Sequence, residues 1–149
     1  MTPHLALALV LAQAPAPDCR ADAAPVRAVR ALAEGIIAAD NQRDIERVMN
    51  AYAADAWLLP PGEAPVRGHA AIRPRYEALF AGFNPAIDGR IDEACVSGSI
   101  AFIRGHNGGR MISRSAEPAR SLDDVYLMQL KIDADGRWRI SHLMWHRQK

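Results

Sequence analysis

Residues 44–80, DIERVMNAYAADAWLLPPGEAPVRGHAAIRPRYEALF, decide the fold. Asp44 is a favourable N-cap, and the apolar residues after it recur at the spacing of a helix face: Ile45, Val48, Met49 and Tyr52. The apolar segment 56–59 predicts a short or edge strand, because Pro60 and the residues that follow it cannot extend a hydrogen-bonded ladder. Residues 65–68 predict a second brief strand, and residues 69–80 a third helix.

Upstream of this stretch, the chain predicts one further helix that begins near Pro25. Its apolar residues again recur at three- and four-residue spacing: Val26, Val29, Leu32, Ala33, Ile36 and Ile37. Asp22 could cap its start, and the polar residues 40–43 predict a turn at its end. We expect this helix and the one after Asp44 to lie side by side with their apolar faces against a sheet.

Downstream of Gly82, the pattern is typical of strands. Residues 87–96, 100–104, 125–132 and 138–145 predict strands, residues 106–109 a turn or loop, and residues 133–136 a hairpin loop. Three helices followed by antiparallel strands predict an α+β fold with the helices on one face of the sheet.

Alternation in the last strand assigns its two faces. Trp138, Ile140, His142 and Met144 fall on one side, and Leu143 and Trp145 on the other. A sheet covered by helices on one side usually has a solvated second side, so the apolar excess of Leu143 and Trp145 predicts a subunit interface. A β-bulge would exchange these faces.

The bulk properties indicate one globular domain. The chain has 149 residues, 50% of them hydrophobic, and a net charge of +1. Proteins whose main partner is nucleic acid usually concentrate a basic excess on one face, so this balance argues against that class.

The first residues suit a leader peptide. Residues 5–12 (LALALVLA) are about eight apolar residues, too few for the roughly 20 that cross a bilayer but enough for the apolar region of a signal peptide. Residues 12–14 and 21–23 are candidate cleavage sites. A disordered Ala/Pro-rich tail and an early start codon are the alternatives. We expect residues 1–23 to be the leader, 24–149 the domain, and the mature protein to be periplasmic or secreted, outside any membrane.

The two cysteines allow two outcomes. In an oxidising compartment, Cys19 and Cys95 could form a disulfide that pins the N-terminal segment to the sheet. Alternatively, Cys95 is a buried free thiol and Cys19 is free or removed.

Candidate catalytic residues come from the later strands. Asp124 adjoins the apolar run 125–132, where Tyr126 and Met128 share its face. A carboxylate in such a pocket has a raised pKa and can serve as acid or base. A solvated strand entry at Asp124 is the alternative. His142 could orient Asp124 or act as the base, although a lone His there is more often an ordinary core or pocket residue.

Metal and cofactor motifs are missing from the sequence. The spacing of His106, Asp124 and His142 does not support a metal site, and neither a metal nor a cofactor is expected.

Four aromatic residues are most simply core, with some at a pocket mouth: Tyr52, Trp57, Tyr76 and Phe80. Together with Tyr126, Met128 and Met144 they are the candidate pocket lining.

Several segments in fixed order carry a family resemblance: 51–59 (AYAADAWLL), 61–62 (PG), 66–68 (VRG), 71–72 (AI), Tyr76 and 135–145 (DGRWRISHLMW). Together they resemble the signature of SnoaL-like proteins in the nuclear transport factor 2-like superfamily, near a branch with a domain of unknown function. The resemblance covers residues 26–146. It implies a cone of helices packed in the concave face of a curved antiparallel sheet, with a pocket between them and frequent dimers through the outer sheet face.

Ketosteroid isomerase belongs to the same superfamily, and its catalytic roles can be compared with this chain. Where the resemblance implies its general-base Asp, this chain has Pro60. Where it implies the oxyanion Tyr, this chain has Ile36. Only the second oxyanion acid has a counterpart, Asp124. Two of three roles are missing, so that activity is not expected.

These observations predict an exported SnoaL-like protein that binds a small, largely apolar molecule of unknown identity. Weak acid/base activity of the isomerase, cyclase or dehydratase type would rest on Asp124 or His142. The alternative is a non-catalytic dimeric module for binding or assembly. In both cases we expect a homodimer through the outer sheet face.

Overall fold

The computed structural model describes residues 16–148. Over this range the chain forms three helices and six strands: α1 (Ala24–Gln42), α2 (Ile45–Ala51), β1 (Tyr52–Leu59), β2 (Val66–Arg67), α3 (His69–Gly82), β3 (Phe83–Ser97), β4 (Ile100–Ser113), β5 (Arg120–Ile132) and β6 (Trp138–Arg147). Most of the predicted leader lies outside the described residues, and the division at residue 24 stays a prediction. None of the described helices is long and apolar enough to span a bilayer.

The helices form largely where the apolar periodicity predicts them. Asp44 caps α2 as expected, because its Oδ1 accepts a hydrogen bond from the Arg47 backbone N–H at 3.1 Å. Helix α1 starts without a side-chain cap, so the role expected for Asp22 is wrong. It continues through the predicted turn to Gln42 and ends at Arg43, whose φ of 55° is left-handed. Tyr52 opens β1 rather than ending α2.

The six strands make one curved, open sheet in the order β2-β1-β6-β5-β4-β3. The β1–β2 pair and the successive pairs from β3 to β6 are antiparallel, as predicted. Strand β1 runs parallel to β6, so the expectation of a wholly antiparallel sheet is wrong at this pair. The chain leaves β1 through β2 and α3 and returns to the far edge of the sheet at β3. Strands β1 and β6 therefore pair without a hairpin between them.

The glycine-rich segment 106–109 lies inside β4, so the turn predicted there is wrong. Its glycines allow close approach between strands. A Cβ on Gly105 would lie 2.4 Å from the Tyr126 hydroxyl oxygen, and one on Gly109 2.2 Å from the Ala86 carbonyl oxygen. Glycine in a strand interior often marks such a close approach, which the sequence pattern alone cannot distinguish from a turn.

A β-bulge in β6 exchanges the faces predicted for its second half. Leu130 pairs with Ile140 and Gln129 with His142, so Ser141 is an extra residue. After it, Leu143 and Trp145 pack against the core, while Met144 is 48% exposed. The assignment of Leu143 and Trp145 to the outer face is therefore wrong.

The concave sheet face and the three helices enclose the core. The largest fully buried side chains come from every layer of this arrangement: Val26, Val29, Val48, Tyr52, Ile72, Ile103, Leu130 and Ile140. Helix α1 lies along β3, and the Asn41 side chain joins the two by hydrogen bonds to the N–H and C=O of Ile87 at 2.7 and 2.9 Å.

A disulfide joins Cys19 to Cys95, which confirms the bridged alternative. Beside it, the backbones of Asp18 and Val96 exchange two hydrogen bonds of 2.7 and 2.8 Å. The segment before α1 is thus attached to β3 both covalently and by a short antiparallel bridge.

Candidate functional site

Asp124 points into the core side of the sheet and has a partner there. It is 6% exposed, and its Oδ1 accepts a hydrogen bond from Arg147 Nε at 3.2 Å. Arg147 lies opposite it on β6. The carboxylate is thus engaged by a guanidinium partner, which favours a structural ion pair over a free acid or base.

His142 lies on the outer face of the sheet, so the face predicted for it is wrong. The bulge at Ser141 turns it outward beside Gln129, and it is exposed. Gln129 is five residues from Asp124 along β5, which places His142 about 17 Å from Asp124 and on the opposite face. The structure therefore does not bring the two predicted catalytic residues together. His106 also lies outward, 2.6 Å from Asp123.

The predicted pocket-lining residues divide between the two faces. Five lie on the inner side, where all but the half-buried Tyr76 are buried: Tyr52, Tyr76, Phe80, Tyr126 and Met128. Two lie on the outer side, contrary to prediction. Trp57 pairs with His142 and lies under the Arg67 guanidinium, 5.5 Å from the ring centroid. Met144 is turned outward by the bulge.

An aromatic row links the start of β1 to α3. The Tyr52 and Tyr76 hydroxyls are 2.8 Å apart and share a hydrogen bond. Their ring centroids are 6.0 Å apart, and the Phe80 ring lies 5.8 Å from that of Tyr76. Because a pair of hydroxyls uses only one of its two hydrogens internally, the second remains available to an acceptor.

Asp40, in the last turn of α1, is half-buried and lies close enough to these tyrosines for its charge to act on both phenols. Its Oδ1 is enclosed and unpaired among the described residues. Burial raises the pKa of Asp40 to about 7. Burial also raises the pKa of Tyr52 and of Tyr76, and the nearby Asp40 carboxylate adds to both increases. At neutral pH the carboxyl is therefore divided between its protonated and ionised forms, beside two neutral phenols.

Asp40 was not predicted as a site residue, because residues 40–43 were predicted to form a polar turn. A signal was present: Asp40 continues the apolar stripe of α1, four residues after Ile36 and seven after Ala33. A carboxylate on an apolar stripe points toward the core. Its desolvation there is costly unless it gains a hydrogen bond or an ion pair.

A second pair of unpartnered buried atoms lies further along the concave face. They are the Tyr126 hydroxyl and Asn107 Oδ1. The hydroxyl rests over Gly105, and burial raises the pKa of Tyr126 to about 12. A Cβ on Gly89 would lie 3.3 Å from Asn107 Oδ1. These side chains lie tightly against the strands, so they add polar character to the wall of the cone.

An open hollow of about 400 Å³ lies outside the aromatic row, and we call it the rim hollow. It is lined by Gln42, Arg43, Ile45, Glu77, Phe80, Ala81 and Arg114. Phe80 belongs both to the hollow and to the row, so one ring separates the hollow from Tyr76. Another hollow, of about 620 Å³, is lined by residues 16–20. None of the tyrosines lines it, and its charged residues, Asp18 and Arg20, pair with each other.

Metal-ligand geometry does not appear among residues 16–148, where no group of three His, Cys, Asp or Glu side chains could hold an ion. The arrangement at Asp40 instead supplies one titrating carboxyl, one available phenol hydrogen and an apolar surround. Such a set can move a proton and stabilise a developing oxyanion.

Helices packed in a curved, open sheet define the class of this protein as a nuclear transport factor 2-like cone. The SnoaL-like domain family matches residues 29–140, and the chain belongs to that family. No match is found among functionally curated proteins.

Solved structures agree with the cone. A ketosteroid isomerase-like protein from Erwinia carotovora atroseptica is 21% identical, with a TM-score of 0.78 over 85% of this chain and 98% of that one. A candidate scytalone dehydratase from Novosphingobium aromaticivorans is 15% identical, with a TM-score of 0.73 over 84% and 85% of the two chains. A candidate dehydratase from Streptomyces avermitilis is 14% identical, with a TM-score of 0.71 over 84% and 96%. At these identities the similarity shows the fold.

Proposed function

We propose that this protein binds a small, largely apolar molecule in its cone and moves a proton on it with Asp40 as the acid/base group. The observation that supports this is the Asp40 side chain, whose Oδ1 is enclosed without a hydrogen-bond partner and whose pKa is raised by burial to about 7. A general base works best when its pKa is near the working pH. Asp124 is held by Arg147 and His142 faces outward, so the role that the sequence gave to them passes to Asp40.

The tyrosine pair supplies the second part of the chemistry. In the proposed reaction, ionised Asp40 removes a proton from a carbon next to a carbonyl group. The C–H electron pair becomes a carbon–carbon double bond, and the carbonyl electrons move to oxygen. The available hydrogen of Tyr52 or Tyr76 stabilises that oxyanion. Protonated Asp40 then returns the proton to carbon, so the cycle is balanced and is of the isomerase type.

The apolar surround explains why a hydrophobic molecule is expected. The rings of Tyr52, Tyr76 and Phe80 pack in one row, while the Asp40 carboxyl and the phenol groups are the polar points. Binding pockets commonly combine an apolar lining with a few placed polar groups. The named isomerase-like and dehydratase-like neighbours are consistent with such chemistry, although only through the fold.

The probe 2-tetralone, an apolar ketone with acidic α-hydrogens, tests this proposal. Its α-proton exchange in D₂O can be followed by NMR with the full chain present. We expect the wild-type rate to rise with pH and level off above about 7, following Asp40. The Asp40→Asn variant should lose at least about 100-fold of the acceleration, which is the usual contribution of a general base. Asp88→Asn, which changes an exposed carboxylate, is the matched control. An Asp40→Asn variant as fast as wild type contradicts the proposal.

The outer sheet face supports a homodimer as part of the proposal. Exposed apolar side chains lie on neighbouring strands there: Ile100, Phe102, Leu127 and Met144, at 37–50% exposure. Phe102 pairs with Gln129, and Leu127 with both Arg104 and Met144, so the patch is continuous. Native mass spectrometry would report the number of chains and any bound molecule together. A dimer with no bound molecule and no α-proton exchange would instead favour the non-catalytic module.

The disulfide supports export. Disulfides persist mainly in oxidising compartments, and Cys19 is bonded to Cys95 on β3. We therefore propose a periplasmic or secreted protein. Leader cleavage after residue 14 keeps Cys19, whereas cleavage after residue 23 removes it. The intact mass of the protein recovered from the periplasm distinguishes the two sites, and a chain that starts at residue 24 contradicts a disulfide-bonded mature form.

A further inference from the structure

The rim hollow combines an apolar floor with charged walls. Ile45, Phe80 and Ala81 form the apolar part of its lining. Phe80 is 8% exposed, and its ring packs against that of Tyr76. A flat apolar body resting on this floor would therefore lie next to the aromatic row that leads to Asp40.

Two guanidinium groups in the walls are available for a ligand. Neither Arg43 nor Arg114 forms an ion pair within residues 16–148, although arginines elsewhere in this range often do. Arg114 Nη1 donates to the Phe80 carbonyl oxygen at 3.1 Å, and its backbone N–H to that of Gly82 at 2.9 Å. This fixes the guanidinium at the edge of the hollow while leaving other N–H groups unused. Arg43 is held by the left-handed turn that ends α1, three residues after Asp40.

Gln42 adds a third donor. Its Oε1 accepts a hydrogen bond from Arg47 Nη1 at 2.8 Å, so its NH₂ group is the part left to face a ligand. The walls thus present mainly donors, which suit an acceptor-rich group on the ligand.

The charge of the lining selects the kind of anion. Arg43 and Arg114 carry two positive charges, and Glu77 one negative charge, so the net charge is +1. Glu77 is 3.9 Å from Arg73 and is only partly neutralised by it. A phosphate monoester carries about −1.5 to −2 at neutral pH and would meet Glu77. A single carboxylate matches the lining, and guanidinium groups bind planar carboxylates well.

We infer that the rim hollow binds the carboxylate of a small monocarboxylic acid, between Arg43 and Arg114, with the apolar body of the acid on Phe80. The inference deepens the proposed function and rests on it, because it assigns the substrate class: a small apolar acid whose body lies against Phe80, the ring that packs on Tyr76.

Two probes of equal shape and different charge test the inference. They are 3-phenylpropanoate and its neutral amide, 3-phenylpropanamide, each titrated into ¹⁵N-labelled full chain. We expect the carboxylate to bind at least about 10-fold more tightly than the amide. Raising NaCl from 50 to 500 mM should weaken only the carboxylate, because salt screens the charge contact. Equal affinities of the two probes in wild-type protein would overturn the inference.

Charge-removing variants locate the contact. The double variant Arg43→Gln/Arg114→Gln should lose the preference for the carboxylate, while Arg110→Gln, which changes an exposed arginine on β4, should keep it. Thermal unfolding of each variant confirms that the fold is retained. A double variant that still prefers the carboxylate by 10-fold overturns the inference.

Asp40→Asn separates this inference from the proposed function. If that variant keeps the carboxylate preference and exchanges 2-tetralone as fast as wild type, the anion subsite stands and the acid/base role fails. If exchange depends on Asp40 but both probes bind equally, the acid/base role stands and the carboxylate class fails.

Discussion

Asp40 makes the stability of this protein fall as the pH rises from about 4 to about 7. Burial raises the pKa of Asp40 from 3.8 to about 7. Below pH 4 the carboxyl is protonated in both the folded and the unfolded chain, and it has no effect. Between pH 4 and 7 the unfolded chain releases the proton while the folded chain keeps it, so the free energy of unfolding decreases. Above pH 7 the loss is complete and amounts to about 4 kcal/mol.

The Asp40→Asn variant should lack this pH dependence, because an amide does not ionise. We expect the unfolding free energy of the variant, minus that of the wild type, to increase by up to about 4 kcal/mol between pH 4 and pH 8.5. Any constant effect of the amide on packing cancels when only the change with pH is used. Urea denaturation followed by circular dichroism at half-unit pH steps measures the difference.

The control for this measurement is Asp88→Asn, an exposed carboxylate on β3. Its difference from wild type should stay nearly constant over the same pH range. If the Asp40→Asn difference also stays constant within about 1 kcal/mol, the Asp40 carboxyl is solvated or paired in solution. A desolvated, unpaired Asp40 carboxyl, and with it the proposed acid/base role, would then be ruled out.

Two further predictions concern the contacts around the core. The unreduced, denatured protein should contain no free thiol, and Cys19→Ser should lower the unfolding free energy by about 4 kcal/mol, since the bridge closes a loop of 76 residues; two free thiols would contradict the bridge. Tyr76→Phe should cost about 1–3 kcal/mol, because it leaves the buried Tyr52 hydroxyl without its partner. The double variant Tyr52→Phe/Tyr76→Phe should recover part of that loss, because no hydroxyl is then left unpaired, and urea denaturation of the three proteins compares them.

Local signals in the sequence were sufficient for most of the fold. Asp44 caps α2 as its residue type and position predict, and the loop between β5 and β6 falls at residues 133–137. These features depend on interactions within a few residues, which periodicity and capping rules describe directly. The family resemblance then supplied the order of the layers, which local rules do not contain.

The features that were predicted wrongly depend on contacts between distant segments. The parallel β1–β6 pair follows from where the chain returns after α3, not from either strand. Strand β4 has glycines because Tyr126 and Ala86, which lie on the neighbouring strands, approach too closely for a side chain. The bulge at Ser141 shifts every later side chain of β6 to the opposite face, and a single extra residue leaves no mark in an alternating pattern.

The same bulge changed the candidate site. Because His142 is turned outward, the predicted Asp124–His142 pair cannot form. Asp124 instead accepts a hydrogen bond from Arg147. The sequence of α1 shows that Asp40 falls on the apolar stripe. It does not show that Asp40 Oδ1 lacks a hydrogen-bond partner. That state depends on Tyr52, Tyr76 and the packing of α1 on β3, which bring three separate elements together.

The position of Asp40 is costly for the folded state in two ways. The carboxyl is desolvated, and it lies in the last turn of α1, where the helix dipole disfavours negative charge. A leucine at this place would fill a similar volume without the pH-dependent loss of about 4 kcal/mol. The two phenols beside it keep their protons at neutral pH and do not neutralise it. A carboxyl with an enclosed, unpaired Oδ1 beside two phenols lowers stability, so the proposed acid/base role is a better reason for its presence than stability is. Asp40→Leu should make the folded protein more stable at pH 8 while removing the exchange of 2-tetralone. A variant that keeps the exchange and gains no stability at pH 8 would show that Asp40 is an ordinary core residue.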